Sequence, residues 1–499
     1  MLLLLMTDFA AMFTAFGEFL RAPFDGVDLA DWRGFWLRAL FDDRGIVLLT
    51  LPAAVVMALA PPRWIRPLVV AVGMLMIGYV MGGFYLVFWC ALCVGLFAFS
   101  ERWLLETRRT DVLPIGPPLA AWLLIGGGHL LVYVLPKAPL PSGVNAWLYE
   151  HCAWLYPLTI RIAGLDPQAA ARWGWLDASG APHLFFIFAV PHTIGTAYLA
   201  MRMLHYFSEL KRGTIPAERR TLLNFLAFTS HASTVMQGPI ERFARFNEEL
   251  DTCGARRTPR DFAIGVGRIG LGITRHLLAF WYLWPVVGAH LTVERFYRHP
   301  EQVASYGWLY FGSFWYAFTL YMSFAGYCDM AIGISRLYGY RVVENFRWPW
   351  FSTSLAELWR RWHISLSFIL RDYVFMPLVR KRVNAKAALV ILFVICGVWH
   401  QPSFGLLTWG LAMGVMVGVN QSWARWMRDI DRAGGGVLFR IRHAWLRCGP
   451  LPTLAAWFVT INAFVLSGVF FFGDLHGWRV LWELVRRPIA AALSEIGAG

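Results

Sequence analysis

Eight long apolar runs constrain the fold of this chain more than any other feature of its sequence. They are separated by polar connectors and lie at 46–60, 68–100, 112–135, 184–207, 304–325, 387–399, 404–419 and 453–472. A helix needs roughly 20 apolar residues to cross a bilayer, so the runs approach or exceed one pass and the longest provide two. Because backbone in lipid must satisfy its own hydrogen bonds, we expect an all-α, polytopic integral membrane protein with roughly 10 to 12 segments, some of them re-entrant.

Composition and charge support a membrane location. Of the 499 residues, 58% are hydrophobic and 15% charged, whereas about 25% are charged in soluble domains. The net charge of +14 does not require nucleic acid, because the basic residues cluster in short connectors, as in cytoplasmic loops. The stretch 136–183 has only three basic residues, so we expect an external loop there and no nucleic-acid partner.

No tandem repeat, low-complexity tract or long linker divides the chain, so residues 1–499 are predicted to form a single integral membrane domain. Within it, glycine, aromatic and charged residues interleave from about 324 to 410 instead of forming apolar blocks. Polar backbone at membrane depth is tolerated only where protein or a water-filled cavity surrounds it. The pattern therefore predicts a bundle interior with a cavity in this region.

Two Trp-His pairs, Trp362-His363 and Trp399-His400, stand 37 residues apart in this chain. Ionisable side chains inside a membrane are costly, and each is a candidate functional group. A helix beginning near Trp359 would place His363, Ser367 and Arg371 on one face, because they recur every four residues. That face either lines a site or only hydrogen-bonds neighbouring helices, and the spacing leaves both interpretations open.

His400 follows the apolar run 387–399, and Pro402 cannot continue a helix because it has no backbone N–H. His400 is therefore predicted at a helix C-terminus. The negative end of the helix dipole there favours a protonated imidazole, which suits a general base. The alternative is an interfacial histidine that reaches toward the lipid headgroups.

Other chemistries find little support in the sequence. Neither His363 nor His400 has a carboxylate or thiolate three or four residues further along the chain, so we expect no catalytic metal. There is no G-x-S-x-G motif of a serine hydrolase and no phosphate-binding loop for ATP-driven transport.

Several motifs follow one another along the chain. They are 324–333 (FAGYCDMAIG), 344–346 (ENF), 358–367 (LWRRWHISLS), 370–373 (LRDY) and 397–400 (GVWH), preceded by 237–240 (QGPI) with Arg242. They closely resemble the bacterial membrane-bound O-acyltransferase (MBOAT) family, in particular its alginate O-acetyltransferase-like branch, and the match at 238–242 is the weaker one. The strongest resemblance covers 324–410, the presumed catalytic core. It implies a ring of tilted and re-entrant helices around a central tunnel.

The resemblance also implies roles for particular residues. By position, His400 is similar to the family's catalytic histidine and His363 to its second histidine. Substrate-binding roles are expected for Trp399, Trp362, Asp329, Asn345 and Arg371. Interfacial anchoring by Arg371 and purely structural hydrogen bonding by Asp329 and Asn345 remain alternatives. The chain departs from the family pattern after His400, where Gln401-Pro402-Ser403 replace a glycine and a small residue.

The function implied is transfer of an acyl group, with acetyl favoured, from a cytoplasmic thioester across the bacterial inner membrane. The donor would be an acyl-CoA or an acyl carrier thioester, and no tightly bound cofactor is expected. The acceptor would be a hydroxyl of an exported polysaccharide or a periplasmic partner acetyltransferase. Alternatives are D-alanyl transfer, transfer onto a protein or lipid hydroxyl, and a transporter subunit for glycan export that catalyses nothing.

Overall fold

Helices account for the regular structure of the chain wherever the computed structural model describes it. The described residues are 45–81, 83–107, 184–253, 258–279, 293–303, 306–400, 403–473 and 476–497, and they contain no strand. The all-α prediction is therefore confirmed for this part of the chain. The predicted membrane run 112–135, the external loop 136–183 and the pair Gln401-Pro402 lie outside the described residues.

The described residues fall into two compact units, one drawn from 274–326 and 345–499 and the other from 34–273 and 327–344. This division leaves the single-domain hypothesis a prediction. The helices of the second unit are α1 (Gly45–Leu59), α2 (Pro62–Met81), α3 (Gly83–Thr107), α4 (Leu184–Arg212), α5 (Leu222–Ser230), α6 (Phe243–Asp251) and α7 (Pro259–Leu277).

The helices that begin in the first unit include most of the predicted catalytic core. They are α8 (Val293–Arg298), α9 (Tyr306–Tyr338), α10 (Leu355–Arg361), α11 (Ile364–Leu370), a π-helical turn (Arg371–Phe375), α12 (Met376–Arg380), α13 (Ala385–His400), α14 (Phe404–Ala433), α15 (Val437–Leu446), α16 (Leu451–Ser467), α17 (Val469–Gly473) and α18 (Gly477–Gly497). The end of α9, from residue 327, belongs to the second unit.

Three helical stretches among the described residues are long and apolar enough to cross a membrane. They are Tyr306–Tyr338, Phe404–Ala433 and Leu451–Phe471, and the shorter apolar helix Ala385–His400 accompanies them. These stretches contain the predicted runs at 304–325, 387–399, 404–419 and 453–472, except for a few residues at their ends. The runs at 46–60, 68–100 and 184–207 lie in helices α1 to α4. The total of 10 to 12 segments stays a prediction.

The helical hairpin of α13 and α14 is closely packed because glycines let the two backbones approach. A Cβ atom on Gly397 would lie 2.2 Å from the carbonyl oxygen of Leu406, and one on Gly410 would lie 2.5 Å from that of Phe393. Small residues at such positions are the usual basis of close helix packing in membranes. The hairpin places His400 at the end of a rigid element.

A buried cluster of aromatic and aliphatic side chains holds α9, α10 and α16 together within the first unit. Its members are Ala317, Tyr321, Ala325, Leu358, Trp362, Ile461 and Val465. Helix α10 starts sharply, because Ser354 Oγ accepts from the Glu357 N–H at 3.1 Å while the Glu357 carboxylate accepts from the Thr353 N–H at 2.9 Å. Such reciprocal capping satisfies backbone donors at a helix start. It fixes where α10 begins.

Candidate active site

The segment that carries His363 is not one continuous helix. Helix α10 ends at Arg361 and α11 begins at Ile364, so Trp362 and His363 lie in the break between them. His363 has φ 43°, in the left-handed region. The prediction of one helix beginning near Trp359 is therefore wrong, because His363 is the residue at which the chain turns into α11. The carbonyl oxygen of His363 still accepts from the Ser367 N–H at 3.0 Å, one turn further on.

Asn345 stabilises this break through its side chain and its backbone. Its Oδ1 atom accepts from the Ser365 N–H at 3.1 Å and from the Ser365 hydroxyl at 2.9 Å, and it lies 3.1 Å from His363 Nδ1. Its carbonyl oxygen accepts from the Ile364 N–H at 3.0 Å. Backbone donors at a helix start need partners, and here a residue from a preceding segment provides them.

These contacts determine the state of the His363 ring. A backbone N–H can only donate, so the atom facing Ser365 is the amide oxygen of Asn345, and the His363 Nδ1 atom beside it must carry the hydrogen. In the neutral imidazole, the Nε2 atom then has the lone pair. His363 is only 2% exposed, and its ring packs edge-on against Phe324 with centroids 4.8 Å apart.

His400 is the last residue of α13, as the apolar run before it predicted. Its ring is half-buried and lies among aromatic side chains, with centroid distances of 4.5 Å to Trp399, 4.9 Å to Phe471 and 6.3 Å to Trp409. Trp409 comes from α14 and Phe471 from α17. The imidazole is thus surrounded by apolar surfaces that limit the access of water.

Trp399 connects the two histidines. Its indole lies edge-on to the His363 ring at 6.1 Å and to the His400 ring at 4.5 Å, and the residue is 8% exposed. The two histidines, 37 residues apart in sequence, therefore meet around one indole. This arrangement places two imidazoles in one aromatic environment in the first unit.

The other two predicted residues of the first unit differ in their surroundings. Trp362 is 7% exposed and packs against Tyr321, Phe346 and Phe464, with centroids 5.0–5.9 Å apart. Arg371 is half-exposed, donates to Asp372 at 2.7 Å and lies over the Phe368 ring at 4.8 Å. The substrate-binding roles of both remain predictions.

Asp329 belongs to the second unit, where an arginine that the motif search did not single out pairs with it. Arg268 Nε lies 3.0 Å from the Asp329 carboxylate, and Arg268 Nη2 donates to Glu344 at 2.5 Å. Asp329 is 3% exposed. Its partner lies on α7, far away in sequence, and a basic residue in the apolar middle of that helix, between Phe262 and Ile273, was the signal that could have revealed it.

Metal ligation was expected to play no part, and that expectation stays a prediction. Across the ranges given above, the structure brings no three His, Cys, Asp or Glu side chains together as a metal ion would require.

The described residues contain apolar helices long enough to cross a membrane, and two imidazoles that contact one indole. These features define the class as a membrane-embedded protein with a histidine site. Comparison with known families makes the assignment specific. The chain belongs to the membrane-bound O-acyltransferase family. The sequence model of this family matches residues 173–433, just over half of the chain. That range contains every predicted site residue.

Individual relatives agree with this assignment. The chain is 30% identical over 309 residues to a probable alginate O-acetylase of Pseudomonas putida, covering 56% of this chain and 60% of the relative. It is 28% identical over 301 residues to a teichoic acid D-alanyltransferase of Streptococcus thermophilus, covering 57% of this chain and 69% of the relative. It is 27% identical over 253 residues to a peptidoglycan O-acetyltransferase of Helicobacter pylori, covering 50% of this chain and 44% of the relative. The chain spans about half the length of the alginate O-acetylases it matches, from 42% to 60% of them.

Proposed function

We propose that this protein is an O-acyltransferase in which His400 is the general base. The observation that carries the proposal is the convergence of His363 and His400 on the indole of Trp399, within the range that matches the family. A half-buried imidazole among aromatic rings can be reached by a substrate while water is largely kept away. Water exclusion strengthens electrostatic interactions at the reacting atoms.

The reaction is transfer of an acyl group from a thioester to a hydroxyl. The hydroxyl oxygen attacks the thioester carbonyl carbon as His400 takes up its proton, and a C–O bond forms. The C–S bond then breaks, and His400 returns the same proton to the sulfur, so that the donor leaves as a thiol. General-base assistance of this kind contributes roughly 10²–10⁴-fold to the rate. His363, oriented by Asn345, shapes the site beside it.

The donor in this proposal is an acyl-CoA or an acyl carrier thioester on the cytoplasmic side of the inner membrane. The basic connectors of the sequence support this orientation, because they mark cytoplasmic loops. The acceptor is a hydroxyl of an exported polysaccharide, or a periplasmic acetyltransferase that passes the group on. The names of the alginate and peptidoglycan relatives favour acetyl as the group transferred.

A second candidate differs only in the acyl group. The teichoic acid D-alanyltransferase of Streptococcus thermophilus is covered over 69% of its length. This coverage favours D-alanyl transfer as the alternative, with the same base and the same site.

The test is mass spectrometry of cell-surface glycans from a strain that lacks the gene and from strains complemented with variants. We expect the wild type to restore an ester, whose mass identifies acetyl or D-alanyl, and His400→Ala to restore less than about a hundredth of it. His299→Ala is the matched control, because this histidine is 49% exposed and its side chain contacts only Glu301 among the pairs described.

Protein abundance and melting temperature in detergent would establish that His400→Ala folds. Full ester formation by a folded His400→Ala protein would disprove the assignment and favour a transporter subunit that catalyses nothing.

A further inference from the structure

An apolar groove runs between the start of α13 and the second half of α14 in the first unit. Its volume is about 630 Å³, within the range of roughly 300–1,000 Å³ typical of small-molecule sites. It lies at the opposite end of α13 from His400. The residues that line it include Lys386, Ala387, Val390, Gly414, Gly418 and Trp423.

The groove opens where the close packing of the hairpin ends. A Cβ atom on Gly414 would lie 2.6 Å from Cα of Val390, so the helices touch at that level. One turn further along α14, a Cβ atom on Gly418 would meet nothing within 4 Å. At Gly418 there is therefore room for a side chain or a ligand, because the two helices are not in close contact there.

The lining matches the hydrocarbon and interfacial levels of a membrane. The groove walls are mainly aliphatic, and both helices are apolar stretches of the kind that enter lipid. At one end stand Trp423 and Trp426, which are 57% and 45% exposed. Tryptophan is enriched at the level of the headgroups, so this end of the groove faces the interface.

The same end is strongly basic. Helices α13 and α14 run antiparallel, and the start of α13 lies beside residues 414–426 of α14. The basic residues at this end are Lys386, which lines the groove, Arg425 between the two tryptophans, and Arg380, Lys381 and Arg382 shortly before α13.

The only acidic residues of α14 are already paired. Asp429 pairs with Arg432 at 3.3 Å, and Asp431 pairs with Arg442 at 2.7 Å. Lys386 itself is exposed and lines the groove. The mouth of the groove therefore carries a net positive charge.

We propose that this groove binds an anionic glycerophospholipid of the cytoplasmic leaflet. One acyl chain lies along Gly418 between α13 and α14, and the phosphate lies at Lys386 beside the two tryptophans. The apolar groove fits a hydrocarbon chain, and the basic mouth favours an anionic headgroup over a zwitterionic one. This site is separate from the histidine site and does not depend on the proposed reaction.

The experiment is native mass spectrometry of the full chain in detergent with phosphatidylglycerol and phosphatidylcholine that have the same acyl chains. We expect wild-type protein to retain at least about fivefold more phosphatidylglycerol. Gly418→Leu should lose most of the retained lipid, because the leucine side chain fills the groove. Lys386→Gln should keep the lipid but reduce the preference for phosphatidylglycerol several-fold.

The matched control is Gly267→Leu, the same substitution on α7 at a position where a Cβ atom also meets nothing within 4 Å. It should bind lipid as the wild type does. Equal retention of the two lipids by wild-type protein, or undiminished retention by folded Gly418→Leu, would overturn the proposal. If Gly418→Leu does not fold, an unchanged preference in Lys386→Gln would overturn it.

Discussion

One buried polar site in each unit illustrates a different way of stabilising polar groups away from water. In the first unit, His363 is 2% exposed and Asn345 fully buried, and neutral hydrogen bonds and aromatic rings surround them. In the second, Asp329 is equally buried, but an arginine balances its charge. The neutral imidazole needs no counter-ion, because its amide partner and the surrounding rings are uncharged. The carboxylate needs one, because a buried charge without a partner is costly.

The largest effect is expected from Asn345→Ala in the first unit. The change removes the acceptor for His363 Nδ1 and for both donors of Ser365. Displacing a catalytic group by about 1 Å can cost roughly 100-fold in rate, so we expect ester formation in complemented cells to fall at least tenfold. Asn345→Asp, which keeps an acceptor at this position, should retain more activity than Asn345→Ala.

The control for this prediction is Asn462→Ala, which removes the bond from the Tyr310 hydroxyl in the same unit. It should change ester formation little. Wild-type activity in Asn345→Ala would show that the break at His363 needs no support from this amide, and the contrast between the two units would lose its basis.

The next largest effect concerns the ion pairs of the second unit. Arg268→Met removes the guanidinium that pairs with Asp329 and Glu344. Removing one partner of a buried pair costs about 3–5 kcal/mol, so the melting temperature in detergent should fall clearly. Adding Asp329→Asn to Arg268→Met should restore part of the loss, because the buried charge then disappears.

Arg432→Met is the matched control, since Arg432 is 77% exposed and its pair with Asp429 lies at the surface. Such pairs contribute about 0–1 kcal/mol. Equal melting temperatures for Arg268→Met and Arg432→Met would mean that charge compensation does not stabilise the second unit.

A smaller effect should distinguish the closely packed part of the α13–α14 hairpin from its open end in the first unit. In Gly397→Ala, the new methyl group would lie 2.2 Å from the Leu406 carbonyl oxygen. The two helices must therefore move apart at this level, about one helical turn from His400. Overpacking of this kind costs about 1–3 kcal/mol. Gly418→Ala should instead stabilise α14 by up to about 1 kcal/mol, because the methyl group meets open space and alanine favours a helix. Thermal unfolding of both variants measures the difference, and equal stability would contradict it.

The smallest effect is a dependence on pH in the second unit, at the start of α7. The Thr258 hydroxyl and the guanidinium groups of Arg341 and Arg336 hold the pKa of Asp261 below its usual value. The folded pKa is thus below the unfolded one, so the stabilisation is complete above about pH 4 and is lost as the pH falls through the folded pKa. Melting temperatures of wild type and Asp261→Asn should therefore differ at neutral pH and converge in acid. A constant difference at all pH values would show that Asp261 stabilises the unit by other means.

Local patterns in the sequence predicted part of the site well. The apolar run before His400 and Pro402 after it were sufficient to place His400 at the end of a helix, because the run indicates the helix and the proline cannot continue it. The order of the motifs was also sufficient to identify the family, and the match over 173–433 confirms that prediction. Both predictions depend only on residues that are close together in the sequence.

Contacts between distant residues were not predictable in this way. No glycine or proline marks the break at His363, and Leu358 to Arg361 favour a helix that continues. The break forms because Asn345, 18 residues earlier, binds the chain at His363 and Ser365. The contacts of His400 with Phe471 and of Asp329 with Arg268 also depend on tertiary packing.

The left-handed backbone of His363 affects how substitutions at this position must be interpreted. Alanine at φ 43° carries a backbone penalty of about 1–3 kcal/mol, whereas asparagine and histidine adopt this region more readily. A loss of activity in His363→Ala would therefore combine two changes, a missing imidazole and a distorted start of α11. His363→Asn keeps the backbone preference and removes the ring. The difference between these two variants is the measure of what the imidazole itself does.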